Sequence, residues 1–410
     1  MLVVFSLCSV FLWRKNSISF ILGMLVVVTS LFALLINRTP DLTSANSLWI
    51  QLYVIAIMFL GVNSFKEFYS LKEVRIKSGT ELFYKRLLDF VLITGFVALI
   101  INAYIVFKSF NLILASTVTV EEYKNQGGAA NYLTSWVPPV LITYSHFISP
   151  LGYVALASHF FFLANKRIGK SVLFLLVSLN LPLHGLHALS RSDSVQYLIL
   201  YVLLLVIVFP LISSKIRRNI SISVLFVFGG LVFLLSVITT TRFEDKSVSR
   251  SNAVVQNSSV YSVLEYGGQW QENGMNTLVK YNDSKLMYGA SAGTILRFYA
   301  QRIGMETESY DNVRRKALGR KYTSTFNGLP STLVYDFGYF FAFMFMFLYA
   351  YLVRSNAPKK GVLTLDNLIH VSLLLPVIAM FFGNNSLSSF SLGMACVYML
   401  FLNIAKRVKI

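Results

Sequence analysis

The chain has 410 residues, of which 55% are hydrophobic and only 13% charged, and its mean hydropathy is +0.63. A water-soluble domain of this length cannot hide so much apolar surface, so the composition excludes a soluble enzyme and selects a polytopic membrane protein. The formal charge of +18 does not point to nucleic acid, because membrane topology itself calls for basic residues on the cytoplasmic side.

About 20 apolar residues are needed for a helix to cross the hydrocarbon. In chain order the apolar runs predict eleven spans, near 2–13, 18–36, 47–64, 87–107, 136–164, 171–190, 194–211, 219–240, 329–353, 364–383 and 389–405. The first is the shortest. It lacks a basic leader, since Arg14 and Lys15 follow it, so a cleavable signal peptide is not expected. The fold class is therefore all-α and polytopic. Its predicted parts are an N-terminal helix bundle over 1–240, a large loop over 241–328 and C-terminal spans over 329–410.

The loops between spans alternate in charge. One set carries Arg14, Lys66, Arg75, Lys85, Lys166, Arg217, Arg354, Lys406 and their basic neighbours, twenty of the thirty-six Lys and Arg residues in all. The opposite short loops carry only Arg38, Lys108, Lys124 and Arg191. The bias predicts a cytoplasmic C-terminus and places the loops 108–135 and 241–328 on the far side, the face to search for function.

The 241–328 segment is too rich in aromatics for a disordered tether, with Phe243, Tyr261, Tyr266, Trp270, Tyr281, Tyr288, Phe298, Tyr299, Tyr310 and Tyr322. Residues 291–304 carry Ile295, Leu296, Phe298, Tyr299 and Ile303 at helical spacing. Residues 309–318 set Tyr310, Val313 and Ala317 on one stripe beside Arg314, Arg315 and Lys316, the pattern of a helix lying at a membrane surface. Aromatic faces pack on sugars and guanidinium forks bind phosphate, so Arg297, Arg302 and Tyr299 are candidate contacts to a saccharide phosphate.

Ionisable residues at span ends are costly and are functional candidates by default. His184 and His187 lie three apart in LPLHGLHALSRSDSVQ, with Arg191 one turn further and Asp193 beyond it. Arg242, Glu244 and Asp245 follow a span in TTTRFED. Asp336 enters an aromatic-rich span in STLVYDFGYFF, with Gly338 allowing close helix approach, and is expected to pair with a nearby arginine. Cys8 and Cys396 sit inside apolar runs, and the five histidines lack metal-ligand spacing, so neither a disulfide, a metal nor a cofactor is expected.

Two stretches carry a family resemblance. SRSDSVQYLILYVLLLVI is similar to the Ser-Arg turn that opens a span in O-antigen polymerases and ligases. TSTFNGLPSTLVYDFGYFF resembles the end of the large periplasmic loop and the Asp-Phe-Gly helix start of Wzy-type oligosaccharide repeat-unit polymerases. The single large loop before the last spans matches as well, whereas the family's arginine followed ten residues later by glycine is missing from Arg242, Arg250, Arg297 and Arg302.

The resemblance implies a metal-independent glycosyltransferase of GT-C-like fold in a bacterial inner membrane. Its substrates would be oligosaccharides on undecaprenyl diphosphate, and a chain-length regulator would be its partner. Arg191, Arg242, Arg297 and Arg302 would steady the leaving diphosphate. His187, Glu244 or Asp336 would take the acceptor proton, and His184 would contribute to substrate binding. An O-antigen ligase shares these features with another acceptor. A flippase, the rival from another class, would need polar groups at mid-membrane depth, and here they are expected at the outer boundary.

Overall fold

The computed structural model describes residues 1–14, 17–38, 45–69, 71–115, 136–187, 192–214, 217, 254–255, 257–291, 293–319, 326–383 and 389–408. Among these, seven helical stretches are long and apolar enough to cross a membrane: Ile18–Leu35, Asn46–Asn63, Glu81–Asn111, Pro139–Ala164, Ile168–Leu186, Ser192–Leu211 and Gly328–Ser355. Leu2–Phe11, Leu365–Ala379 and Phe390–Lys406 are apolar but shorter. The predicted span 219–240 lies outside the described residues. Leu2–Phe11 rises only about 15 Å, half the hydrocarbon thickness, and it folds back so that Trp13 packs beside Gly23.

The exposed surface of these helices is what a bilayer would cover. In the helix Glu81–Ala115, Ile93, Val97, Ile100, Tyr104 and Phe107 recur every three or four residues and are all exposed. The opposite stripe, Val91, Ala98, Asn102, Ile105 and Ser109, is buried. A soluble protein does not leave so long an apolar stripe in water. The architecture is that of an all-α membrane protein.

The chain forms two compact units. The first draws on Met1–Tyr69, Lys246–Ala357 and Leu374–Gly393, the second on Ser70–Asp245, Pro358–Leu373 and Met394–Ile410. In the first unit the helices are α1 (Leu2–Phe11), α2 (Ser17–Leu35) and α3 (Ala45–Asn63), then a series that begins with α10 (Ser258–Gly268) and α11 (Trp270–Val279). α12 (Thr294–Arg302), α13 (Tyr310–Leu318) and the long α14 (Gly328–Ser355) follow. The second unit is built on α4 (Glu81–Ala115), α5 (Pro139–Ile148), α6 (Gly152–Ala164), α7 (Ile168–Ser178), α8 (Asn180–Leu186) and α9 (Ser192–Val208). α15 (Leu365–Ala379) and α16 (Phe390–Val408) each contribute residues to both units.

Part of the segment read as a loop beyond residue 240 is woven into the first bundle. A methyl group on Gly268 would lie 2.6 Å from the backbone nitrogen of Ala33, so α10 approaches α2 closely only because this position has no side chain. Gln271 donates to Ser30 Oγ, and Thr277 shares a hydroxyl hydrogen bond of 2.8 Å with Ser331 at the start of α14. Arg38, just past α2, bridges the carboxylates of Glu265 and Glu272. Burial opposes its charge, but Glu265, Tyr261 and Glu272 outweigh that cost and raise its pKa.

The second unit contains a short feature the hydropathy pattern does not reveal. β1 (Glu73–Arg75) and β2 (Val362–Thr364) pair in parallel, Val74 opposite Leu363, joining two segments nearly 300 residues apart in sequence. Beside them Asp366 accepts from Tyr84 Oη at 2.6 Å and from Lys406 Nζ. These contacts clamp the ends of three helices together.

Candidate functional site

The first group of candidate residues gathers at a break in α14. Gly338 has φ 75° and ψ 168°, so the helix stops there and restarts. The carbonyls of Tyr335 and Asp336 thereby lose their helical donors four residues on. A piece of the preceding loop supplies replacements: Met287 N donates to Tyr335 O at 2.7 Å and Gly289 N to Asp336 O at 2.9 Å. Tyr288 and Gly289, both with positive φ, turn this piece so that Ser291 reaches the Asp336 side chain.

Ser291 donates twice, from its backbone nitrogen to Asp336 Oδ1 at 3.0 Å and from its hydroxyl to Oδ2. Both residues are buried. Asp336 was expected to pair with an arginine; both carboxylate oxygens accept from Ser291, and Arg297 lies within electrostatic reach. Arg297 itself donates to Ala290 O and to Thr294 Oγ1, and its guanidinium carbon lies 5.5 Å from the centre of the Tyr310 ring. Burial lowers its pKa, and Tyr310 and Asp336 partly restore it. The site thus holds a fixed cation beside a buried carboxylate, packed on a small core of Met287, Ala290, Ala317 and Tyr335.

The other loop candidates differ in setting. Arg302 is exposed and lies 5.3 Å above the Phe298 ring, and Tyr299 is exposed on the same helix. The stripe Tyr310, Val313 and Ala317 packs on the small core, as its spacing predicts. Arg314 departs from its neighbours: it is buried whereas Arg315 and Lys316 are exposed. The helical period accounts for that inward turn, since Arg314 stands four residues after Tyr310 and three before Ala317, on the stripe's own face.

The second group lies in the other unit. His184 Nε2 and His146 Nδ1 are 2.7 Å apart, within hydrogen-bond distance. The ring centre of His187 is 5.5 Å from that of His184. Among the described residues its Nε2 is buried with no hydrogen-bond partner, whereas the backbone of Asn102 bonds the ring. The Asp193 carboxylate lies against Gly185, between the two histidines in sequence.

Beneath the histidines sits a network of neutral polar groups. Asn102 donates to Ser149 Oγ at 3.0 Å and to Asn180 Oδ1 at 2.7 Å, and accepts from Ser145. Asn180 also donates to the Gly95 carbonyl. His146, Asn102 and Asn180 were not singled out in the sequence. Asn180 falls at the middle of the predicted span 171–190, so polar groups are not confined to the outer boundary. A lone Asn inside an apolar run was the available signal, since a buried amide must find partners.

Arg191, Arg242, Glu244 and Asp245 lie outside the described residues. Among the described residues, no group of three or more His, Cys, Asp or Glu side chains is arranged to hold a metal ion, and Cys8 and Cys396 are free thiols. Comparison with family models, with curated proteins and with solved structures finds no match to this chain.

Proposed function

We propose that the chain is a metal-independent glycosyltransferase that joins undecaprenyl-diphosphate-linked oligosaccharide repeat units into a surface polysaccharide at the periplasmic face of the inner membrane. The observation that carries the reading is the arrangement at the α14 break. There a loop rich in aromatics and cations is pinned to a membrane helix, with Arg297 held beside the buried Asp336. The reaction forms a glycosidic bond between an acceptor hydroxyl and the donor's anomeric carbon and breaks the bond to the lipid diphosphate. Negative charge grows on the departing diphosphate, and a cation already held in place stabilises it without reorganisation. Arg297 and Arg302 would serve this role from the loop, and Tyr299 would contact the saccharide. Asp336, with both oxygens engaged by Ser291, acts as a positioning residue that orders the loop.

One observation favours a second reading. The Asn102–Ser145–Ser149–Asn180 network puts polar groups well inside a helix bundle, as a flippase for lipid-linked sugars would require. Deleting the gene in its host and complementing with wild type, Arg297→Ala or Arg191→Ala separates the readings on a polysaccharide gel. A polymerase leaves single repeat units on deletion, and an arginine variant that still inserts in the membrane restores at most about a tenth of the polymer. Long polymer stranded on the carrier would instead make the protein a ligase. Repeat units trapped on the cytoplasmic side would make it a flippase, and an unchanged ladder would overturn all three.

A further inference from the structure

The short ladder of the second unit gathers charge. β1 and β2 pair with Val74 opposite Leu363 and Arg75 opposite Thr364, and both Val74 and Leu363 are buried. The turn before β2 is tied in as well: Lys72 N donates to Gly361 O at 2.7 Å, and Lys359 and Val362 exchange two backbone hydrogen bonds of 3.0 Å. A third segment joins from the turn between α6 and α7, where Asn165 Nδ2 donates to the Val74 carbonyl at 3.1 Å. Residues 72–75, 165–167 and 359–364 thereby bring together six cations, Lys72, Arg75, Lys166, Arg167, Lys359 and Lys360, against one acid, Glu73.

All six cations are exposed, and among the described residues none of them enters an ion pair. Like charges drawn from three distant segments repel one another, so the arrangement is favoured only with counter-charge from outside the chain. Two of the six, Lys166 at φ 59° and Lys360 at φ 54°, occupy the left-handed region that glycine adopts without strain. The level of the ladder tells where the counter-charge comes from. Lys166 and Arg167 directly precede Ile168–Leu186, a stretch of crossing length that rises about 28 Å, close to the hydrocarbon thickness of a bilayer. They follow Pro139–Ala164, a second such stretch. A turn between two crossing helices lies where hydrocarbon gives way to headgroups, and the Asn165 hydrogen bond holds β1, and with it β2, beside that turn. The anions concentrated at this level are the phosphodiesters of acidic phospholipids.

We propose that the β1–β2 ladder is a binding platform for the headgroups of anionic phospholipid. Arg75 and Arg167 supply guanidinium forks, which grip a phosphate in two places, and the four lysines add point charges around them. The platform stands independently of the proposed chemistry, since it concerns only the counter-charge of the ladder.

The test uses the full chain, reconstituted in nanodiscs of equal parts phosphatidylcholine and phosphatidylglycerol, with native mass spectrometry of the released protein counting the lipid it retains. A ladder variant carries Arg75→Gln, Lys359→Gln and Lys360→Gln. A control carries Lys85→Gln, Arg86→Gln and Lys170→Gln, an equal loss of charge from exposed residues outside the three ladder segments. Wild type and control are expected to retain phosphatidylglycerol in preference to phosphatidylcholine, and the ladder variant to bind phosphatidylglycerol at least about tenfold more weakly. Lys359→Arg with Lys360→Arg, which keeps the charge, is expected to match wild type. Equal losses in the ladder and control variants would overturn the proposal by showing diffuse attraction, and so would a wild type with no preference for phosphatidylglycerol. Release of the bound lipid by inorganic phosphate at constant ionic strength would overturn it too, by making a soluble anion the ligand.

Discussion

The two units bury polar groups among apolar helices by opposite means. In the first, a buried carboxyl group is sealed by a loop: Asp336 takes both donors of Ser291, and the freed carbonyls at the Gly338 break take Met287 and Gly289. In the second, neutral amides and hydroxyls satisfy one another across helices, with Asn102 joining Ser145, Ser149 and Asn180. The difference follows from what each residue loses on burial. An unpaired carboxylate in a low-dielectric bundle is far more costly than an unpaired amide, so it demands dedicated donors brought from elsewhere in the chain. An amide both donates and accepts, and finds partners among its neighbours.

The sharpest break of this contrast is Asp336→Ala. It strips the buried Ser291 nitrogen and hydroxyl of their acceptor and is expected to cost about 3 kcal/mol. Chemical unfolding in mixed micelles measures this, and a loss below about 1 kcal/mol would mean the loop is held by its apolar core instead. Asp336→Asn keeps an acceptor for Ser291 N and should retain most of the stability.

Arg38→Ala comes next. It removes the guanidinium that bridges the half-buried carboxylates of Glu265 and Glu272, an expected loss of about 2 kcal/mol. Adding Glu272→Gln should recover part of that loss if the bridge is what matters, and a double variant no better than the single one would assign the effect to packing of the arginine stem. The smallest change is expected from Asn102→Ala, about 1 kcal/mol, because hydrogen bonds between membrane helices contribute modestly and the partners can re-pair. Should Asn102→Ala prove as damaging as Asp336→Ala in the same micelles, the contrast between the two units would fail.

The long apolar runs were legible in the sequence because twenty consecutive apolar residues have few alternatives to a bilayer. The outcome is uneven along the chain. Seven stretches reach crossing length, three of the predicted spans are shorter helices, and 219–240 is undescribed. The helical spacing within 291–304 and 309–318 anticipated α12 and α13, and the Tyr310–Val313–Ala317 stripe does face the core. Asp336 and Arg297 were each chosen separately, as a costly charge in a span and a cation on an amphipathic helix. Nothing in either pattern foretold that Ser291 would hold the one and leave the other beside it. His146 escaped notice for a similar reason: it belongs with His184 across 38 residues, and only the path of the chain makes them a pair.

What the sequence determined by itself is the solvent of the protein and the identity of its helices, since hydropathy and period depend only on residues near one another in the chain. What the tertiary structure decided is where polarity is spent. The break at Gly338, the pinning of the loop by Ser291, the weaving of α10 and α11 into the bundle and the parallel pairing of residues 73–75 with 362–364 all depend on partners far apart in sequence. Each satisfies a hydrogen-bonding or packing demand that a local pattern can announce but cannot assign, because the partner is set by the path of the chain through the bundle.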